Sequence, residues 1–408
     1  MSTGSVARSL ARSLRSDAST STTTTFNRLS RVAAPRPATR SPLLYAHTPS
    51  TCTCAHLQAR HYSSYPTQPS AANANPPRRK RTIMDLQSNK RKKIPITMLT
   101  AHDYPSARFI EAAAVSSHHH HHHVHGSSTS GDTGSLVPGA AKPPPRGVDI
   151  ALIGDSLAMV ACGYPSTTHL TLDEMLYHCR SVARGCKTSL LVADLPYGTF
   201  AVSVEQGVHA AVRITQEGHM DAVKIEGGEE VAPLIKRLTD VGIPVMGHVG
   251  LTPQRQAALS GYRVQGKTVS SALKVYHDAL AIQHAGAFAV VLEAVPARLA
   301  EWISSRLEIP TIGIGAGKGC DGQVLVQLDM LGVDSDLGAG GKGPRFLKKY
   351  ASLGEVATGA VRTYVDEVRN GAFPGEEHTY PISDEAFRGF LEAVVAVEGQ
   401  DHPAARRS

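Results

Sequence analysis

Six short apolar runs in this chain each stop at a polar or glycine-rich position suited to chemistry: residues 151–156 (ALIGDS), 190–196 (LLVADLP), 222–228 (AVKIEGG), 244–250 (PVMGHVG), 289–295 (AVVLEAV) and 311–317 (TIGIGAG). Parallel strands buried on both faces read as near-continuous apolar runs, and their C-terminal ends lie on one side of the sheet. A chain with this rhythm is constrained in two ways. It folds around a parallel sheet, and its reactive side chains meet at one rim.

The segments between the runs carry helix signals. Thr171-Leu172-Asp173-Glu174 is a capping box opening a helix that Gly185 closes, and Ser203-Val204-Glu205-Gln206 opens another that ends at Gly218. Residues 229–241, 270–285, 296–307 and 355–369 are amphipathic at helical period, with Gly242, Gly286 and Gly371 just past three of the ends. Counting residues 96–102 (ITMLTAH) as the first strand and 324–330 (VLVQLDM) as the last gives eight strands alternating with helices. That count favours an α/β fold of the (β/α)8 TIM-barrel type over an open doubly wound sheet. In such a barrel His102, Asp155, Asp194, Glu226, His248, Glu293 and the GIGAG turn converge.

Charge divides the chain. Residues 1–62 hold eight arginines, no lysine and one acid, Asp17, amid many serines and threonines, the composition of a mitochondrial transit peptide. The stretch Arg60-His61-Tyr62-Ser63 places the expected mature start near Ser63 and the protein in the mitochondrial matrix. Residues 63–93 add eight cations against Asp85 and read as a basic disordered linker. With the whole chain at +7, residues 94–408 carry a net −7, so the folded body gives no reason to expect nucleic acid. No apolar run reaches membrane-spanning length, so no membrane partner is expected. The cysteines show neither zinc spacing nor a secreted disulfide pattern. Residues 116–147 contain six consecutive histidines within Ser/Gly/Pro-rich sequence and are expected to form a surface insertion in a barrel spanning 94–380. Residues 381–408 follow as a C-terminal tail with a terminal helix.

The strand-end residues suggest their chemistry. Asp155, Asp194 and Glu226, with no thiolate nearby, favour a hard cation such as Mg²⁺, which keeps several waters and takes one or two carboxylates directly. Asp155 and Asp194 are expected to bind the ion or its waters, with Glu226 acting through water. Lys224 lies two residues before Glu226 and shares its inward face. It neutralises the acids and can pair with a substrate carboxylate. Glu293 ends its strand with no base or acid adjacent in sequence, an environment expected to raise its pKa and suit it to proton transfer. The turn Gly313-Ile314-Gly315-Ala316-Gly317 fits either a phosphate cradle or close approach of a substrate.

Taken together, the motifs have a familiar order. Thr100-Ala101-His102-Asp103-Tyr104, Ile153-Gly154-Asp155-Ser156-Leu157, Ala193-Asp194-Leu195-Pro196, Val223-Lys224-Ile225-Glu226-Gly227-Gly228, Gly247-His248-Val249-Gly250-Leu251-Thr252-Pro253-Gln254, Gly261-Tyr262-Arg263-Val264-Gln265-Gly266, Leu292-Glu293 and Pro374-Gly375-Glu376-Glu377-His378 resemble the 3-methyl-2-oxobutanoate hydroxymethyltransferase family. The resemblance covers about residues 94–380. It implies a Mg²⁺-dependent (β/α)8 barrel that uses 5,10-methylenetetrahydrofolate as co-substrate and acts in pantothenate synthesis. It implies metal-site residues Asp155, Asp194 and Glu226, substrate contacts at Asp155, Ser156, Asp194, Lys224 and His248, Glu293 as proton acceptor, and a homo-oligomer. The same acids would also suit a Mg²⁺-dependent C–C lyase or phosphomutase of the phosphoenolpyruvate and oxo-acid barrels, which would need no folate.

Overall fold

The computed structural model describes residues 79–113, 147–258, 261–334 and 344–401, with side chains as far as 397. These residues fall in one compact unit. The expected transit peptide at 1–62 and the histidine-rich insertion, apart from Gly147 at its edge, lie outside the described residues.

Eight parallel strands close into a barrel: β1 (Ile96–Thr100), β2 (Ile150–Ile153), β3 (Leu190–Asp194), β4 (Ala222–Glu226), β5 (Val245–Gly250), β6 (Ala289–Glu293), β7 (Thr311–Ile314) and β8 (Gly322–Leu325). Closure comes from β1 pairing with β8, with Ile96 opposite Gly322 and Met98 opposite Val324. Around the barrel run α1 (Ile83–Arg91), α2 (Tyr104–Ala112), α3 (Leu157–Val160), α4 (Leu172–Gly185), α5 (Val204–Gln216), α6 (Ala232–Asp240), α7 (Val269–His284), α8 (Ala297–Arg306), α9 (Gln327–Leu331), α10 (Leu353–Asn370) and α11 (Asp384–Asp401). No described helix is long and apolar enough to cross a membrane.

The period-two alternation of the strands sorts their side chains into two cores. Ile150, Leu152, Leu190, Val192, Ala222, Met246, Ala289, Val291 and Ile312 fill the barrel interior. The intervening Ala151, Ile153, Leu191, Ala193, Val223, Val290 and Leu292 face outward and pack with the helices. Continuing the inward series up each strand brings Asp194, Lys224, Glu226, His248 and Glu293 to the top layer. The same alternation therefore builds the core and the site.

The structure departs from the sequence expectation at two places. The stretch 63–93 is not disordered from residue 79 onward, because Leu86 of α1 is fully buried in the interior core and plugs the bottom of the barrel. Burial of one leucine is worth about 1.5–3 kcal/mol. The cations read as linker charge are anchors: Lys80 pairs with Asp221 at 2.7 Å, Arg81 with Asp149 at 3.2 Å and Lys90 with Asp321 at 2.7 Å. The last strand also ends earlier than expected. It stops at Leu325, and Gln327–Leu331 turns into α9, where the Gln327 amide donates to Thr100 Oγ1 at 2.9 Å. A short apolar run does not by itself distinguish strand from buried helix.

The helix caps are those expected from sequence. Thr171 Oγ1 accepts from the Glu174 amide while the Glu174 carboxylate accepts from the Thr171 amide, and Ser203 caps α5 through the Gln206 amide. Beyond the barrel, α10 buries none of its residues, and Val356, Val361, Tyr364 and Val368 along it are exposed.

Candidate active site

The C-terminal rim surrounds a cavity of about 850 Å³ lined by Asp155, Ser156, Asp194, Lys224, Glu226, His248 and Glu293 among others. Every residue singled out from sequence as a metal, substrate or proton-transfer group is therefore at one cavity. His102 is not. Its backbone carbonyl faces His178 of α4, and its ring sits 3.5 Å from Asp103, so it belongs to the β1–α2 junction.

Strand register brings the charges together. Asp194 of β3 is level with Lys224 of β4, and Glu226 is level with His248 of β5. Lys224 Nζ lies 2.9 Å from Asp194 Oδ1 and 3.2 Å from His248 Nδ1. His248 spans two carboxylates, with Nδ1 3.5 Å from Glu226 Oε1 and Nε2 3.2 Å from Glu293 Oε2. His248 Nε2 and Asp194 Oδ1 meet their partners as ion pairs, without a well-aligned hydrogen bond. The isolation expected for Glu293 is thus absent: its neighbour arrives from the adjacent strand.

The electrostatics follow from crowding in a dry layer. Burial, reinforced by Asp194 and Glu226, raises the Asp155 carboxyl well above the usual carboxylate range. Burial acts against the Lys224 ammonium, but Asp194, Glu226 and Asp155 outweigh it and hold the group above its ordinary pKa. Burial and the Lys224 charge oppose protonation of His248, yet Glu226 and Glu293 push it up to about 9. Burial also opposes ionisation of Glu226, and His248, Lys224 and the Gln254 amide reverse that and lower its pKa.

A fully buried set with three acids and two bases relies on its hydrogen bonds to remain ordered. Gln254 supplies several that were not anticipated as site contacts from the sequence. Its amide donates to Glu226 Oε2 at 3.0 Å, and its side chain donates to Asp155 Oδ2 at 2.8 Å and to the Leu195 carbonyl at 3.0 Å. The Asp155 amide in turn donates to Asp194 Oδ2 at 3.0 Å. Gln254 lies in the quoted Gly-Leu-Thr-Pro-Gln run, but neutral glutamine carries no local signal of a site role.

Two backbone features aim Glu293. Ala294 adopts φ +49, a left-handed conformation rare for a residue with a side chain, and turns the chain immediately after the carboxylate. Gly250, at φ +95, lies so close to the Glu293 carbonyl that an added Cβ would come within 2.3 Å of it. The GIGAG turn is crowded in the same way by protein atoms: a Cβ on Gly315 would meet the Phe346 ring at 2.7 Å, and one on Gly317 would meet Ala297 at 2.5 Å. Its glycines serve close packing of the chain on itself.

A hard cation fits the donor set. Two adjacent carboxylates, Asp194 beside the Lys224 ammonium and Asp155 with its pKa raised by burial and by the like charges of Asp194 and Glu226, are what such an ion would relieve. Among the described residues no three histidine, cysteine or carboxylate side chains form a ready-made metal cage, and Glu226 is engaged by His248 and Gln254. That arrangement matches an ion retaining water and taking two carboxylates.

The ketopantoate hydroxymethyltransferase family model matches residues 138–376. A protein of Emericella nidulans, named 3-methyl-2-oxobutanoate hydroxymethyltransferase, is 46% identical over 353 residues, covering 86% of this chain and 90% of that protein. The chain belongs to the ketopantoate hydroxymethyltransferase family. Proteins of the same name from Nitratidesulfovibrio vulgaris and Acetivibrio thermocellus are 45% and 42% identical, with 85% and 94% of their lengths covered. Among solved structures, a phosphonopyruvate hydrolase in complex with oxalate and Mg⁺⁺ aligns at 15% identity and a TM-score of 0.41, over 79% of this chain and 99% of that one. The fold assignment rests on the strand pairing itself.

Proposed function

We propose that this chain transfers a hydroxymethyl group from 5,10-methylenetetrahydrofolate to 3-methyl-2-oxobutanoate, forming ketopantoate for pantothenate synthesis. The observation that supports this most directly is the Asp155, Asp194, Lys224, Glu226, His248 and Glu293 cluster at the rim of a barrel belonging to this family. Asp155 and Asp194 would hold Mg²⁺, with Glu226 reaching it through water. Bound there, Mg²⁺ supplies a Lewis acid for negative charge growing on the keto oxygen of the substrate. Lys224 pairs with the substrate carboxylate and Ser156, at the mouth of the layer, orients it. Glu293 takes the proton from C3, and His248 holds the Glu293 carboxylate toward that carbon. Burial of the layer keeps water from competing for these contacts.

Full-length protein, both substrates and Mg²⁺ are expected to yield ketopantoate, and EDTA to abolish it. In D₂O without folate, the C3 hydrogen of 3-methyl-2-oxobutanoate is expected to exchange in a Mg²⁺-dependent manner. Absence of both product and exchange overturns the reading, and product undiminished by EDTA overturns the metal assignment. Turnover of a phosphonate or oxo acid without folate would favour the lyase or phosphomutase alternative.

The arginine-rich, acid-poor composition of residues 1–62 supports mitochondrial import. A fluorescent reporter carrying those residues is expected in the mitochondrial matrix. A diffuse cytosolic signal overturns that assignment.

A further inference from the structure

Of the three acids assigned to the ion, Asp155 is the one the sheet does not hold. Asp194 is level with Lys224 and Glu226 with His248 in the strand ladders, so backbone pairing sets their heights. The last pair of β2 with β3 is Ile153 with Ala193, and Asp155 stands two residues beyond it. Its place therefore depends on contacts made above the ladder. One is its own amide, which donates to Asp194 Oδ2 at 3.0 Å. The carboxylate itself is held by Gln254.

Gln254 lies in the short 3-10 turn Pro253–Arg255 after β5, a strand that the barrel separates from β2 by β3 and β4. From there it grips three strand ends at once. Its amide donates to Glu226 Oε2 at the end of β4, and its side chain donates to Asp155 Oδ2 after β2 and to the carbonyl of Leu195, the residue next to Asp194. Facing a carboxylate and a carbonyl, both acceptors, the side chain must present its NH2 group, and each N–H then has one acceptor. The turn is itself pinned, because the Arg255 amide donates to the Thr252 carbonyl at 2.9 Å and the Arg255 guanidinium pairs with Glu230. Gln254 is buried, and unlike the three acids it does not line the cavity. It acts on the acids from behind.

We propose that Gln254 is a positioning residue for the metal site, holding Asp155 at a fixed separation from Asp194 and Glu226 so that the site selects a small cation of strict geometry over a larger, more tolerant one. The proposal rests on the placement of Mg²⁺ at these acids in the functional reading above, and adds the residue that sets the choice of ion. Mg²⁺ demands near-ideal octahedral geometry at about 2.0–2.1 Å, whereas Ca²⁺ accepts oxygen ligands at about 2.3–2.6 Å in flexible arrangements. An acid released from its strut can still serve Ca²⁺. It serves Mg²⁺ poorly, because the fixed spacing has gone.

Gln254→Met keeps the length of the side chain and removes both donors. Calorimetric titration of the full-length protein with Mg²⁺ and, separately, with Ca²⁺ reads the two affinities, and subtracting the heats of Asp155→Ala isolates this site. Mg²⁺ affinity is expected to fall by about 10- to 100-fold, the usual loss when a partner that orients a metal ligand is removed, and Ca²⁺ affinity by less, so that the Mg²⁺/Ca²⁺ ratio drops. Gln254→Asn, which keeps the amide and shortens its reach by one methylene, is expected to move the ratio the same way and answers the question if the methionine variant does not fold. An unchanged ratio in a folded variant overturns the proposal, whether both affinities are intact or both fall in parallel; a parallel fall with a lowered melting midpoint in EDTA marks a structural contact only. A parent protein that forms no ketopantoate, while the variants still shift the ratio, rejects the reaction but not the positioning role. Ketopantoate formed by the parent with no ratio shift in the variants rejects the positioning role alone. A parent without Asp155-dependent Mg²⁺ binding overturns the metal assignment and this role together.

Discussion

Replacing Glu293 with glutamine is expected to lower turnover by about 10²- to 10⁴-fold, the range for losing a positioned acid or base, while Mg²⁺-dependent binding of 3-methyl-2-oxobutanoate persists. Glutamine keeps the shape of the side chain and removes its capacity to accept a proton. His248 Nε2, 3.2 Å from Glu293 Oε2, retains a neutral acceptor, so the pocket is expected to remain ordered. C3 exchange in D₂O locates the step. Exchange lost with turnover places Glu293 at C3, whereas exchange intact without product would move its role to the folate side. Near-normal turnover removes it from proton transfer altogether.

Lys224→Met is expected to affect stability as much as activity. Lys224 is almost completely buried, 2.9 Å from Asp194, and its charge opposes repulsion among three buried carboxylates. Breaking a buried ion pair by removing one partner typically destabilises by about 3–5 kcal/mol. Denaturant titration in EDTA should reveal the loss. The pH dependence has a definite sign. A carboxylate whose folded pKa is raised, as that of Asp155 already is, contributes stability below its unfolded pKa and loses it as pH rises through the folded value. Removing Lys224 takes away a charge that holds the Asp155 value down, so the deficit relative to the parent is expected to be larger near neutral pH than in mild acid. Added Mg²⁺ should restore part of it by supplying the missing positive charge. An undiminished melting midpoint in EDTA near neutral pH would show that the ammonium does not hold the layer together.

The two substitutions differ because of depth. Glu293 sits at the end of its strand with 14% of its side chain exposed, whereas the Lys224 side chain is 5% exposed in the centre of the charged layer. A rim carboxylate can be neutralised with little strain. A central cation cannot be removed without leaving its partners exposed to one another.

The legible parts of the fold are those carried by local pattern. The apolar runs of β2 through β7 and the caps at Thr171 and Ser203 were readable because strand burial and helix capping depend on residues close together in the chain. The misread parts depended on distant partners. Residues 79–93 have the composition of a linker, yet Leu86 is buried because the open bottom of the barrel needs an apolar plug, and Asp149, Asp221 and Asp321 pair with its flanking cations. Residues 326–330 continue an apolar run, yet they coil because β8 has already met its register with β1 and β7.

The candidate site divides in the same way. Which side chains face inward at the top of β3 to β6 follows from period two and the strand endings, so Asp194, Lys224, Glu226, His248 and Glu293 could be named in advance. Whether they touch could not. The alternation along a strand is set by its own backbone, while the register between strands is set by packing around the closed barrel, and only that register brings Lys224 to Asp194 and His248 between Glu226 and Glu293. Asp329, Arg263 and Arg345 enter the cavity from loops and a short helix after the strands, and Gln254 reaches Glu226 and Asp155 from the turn after β5, where no periodicity marks direction. Sequence determined the barrel and the chemistry of its rim; tertiary structure decided the pairing of those charges and the width of the cavity above them, because both arise from contacts between segments far apart in the chain.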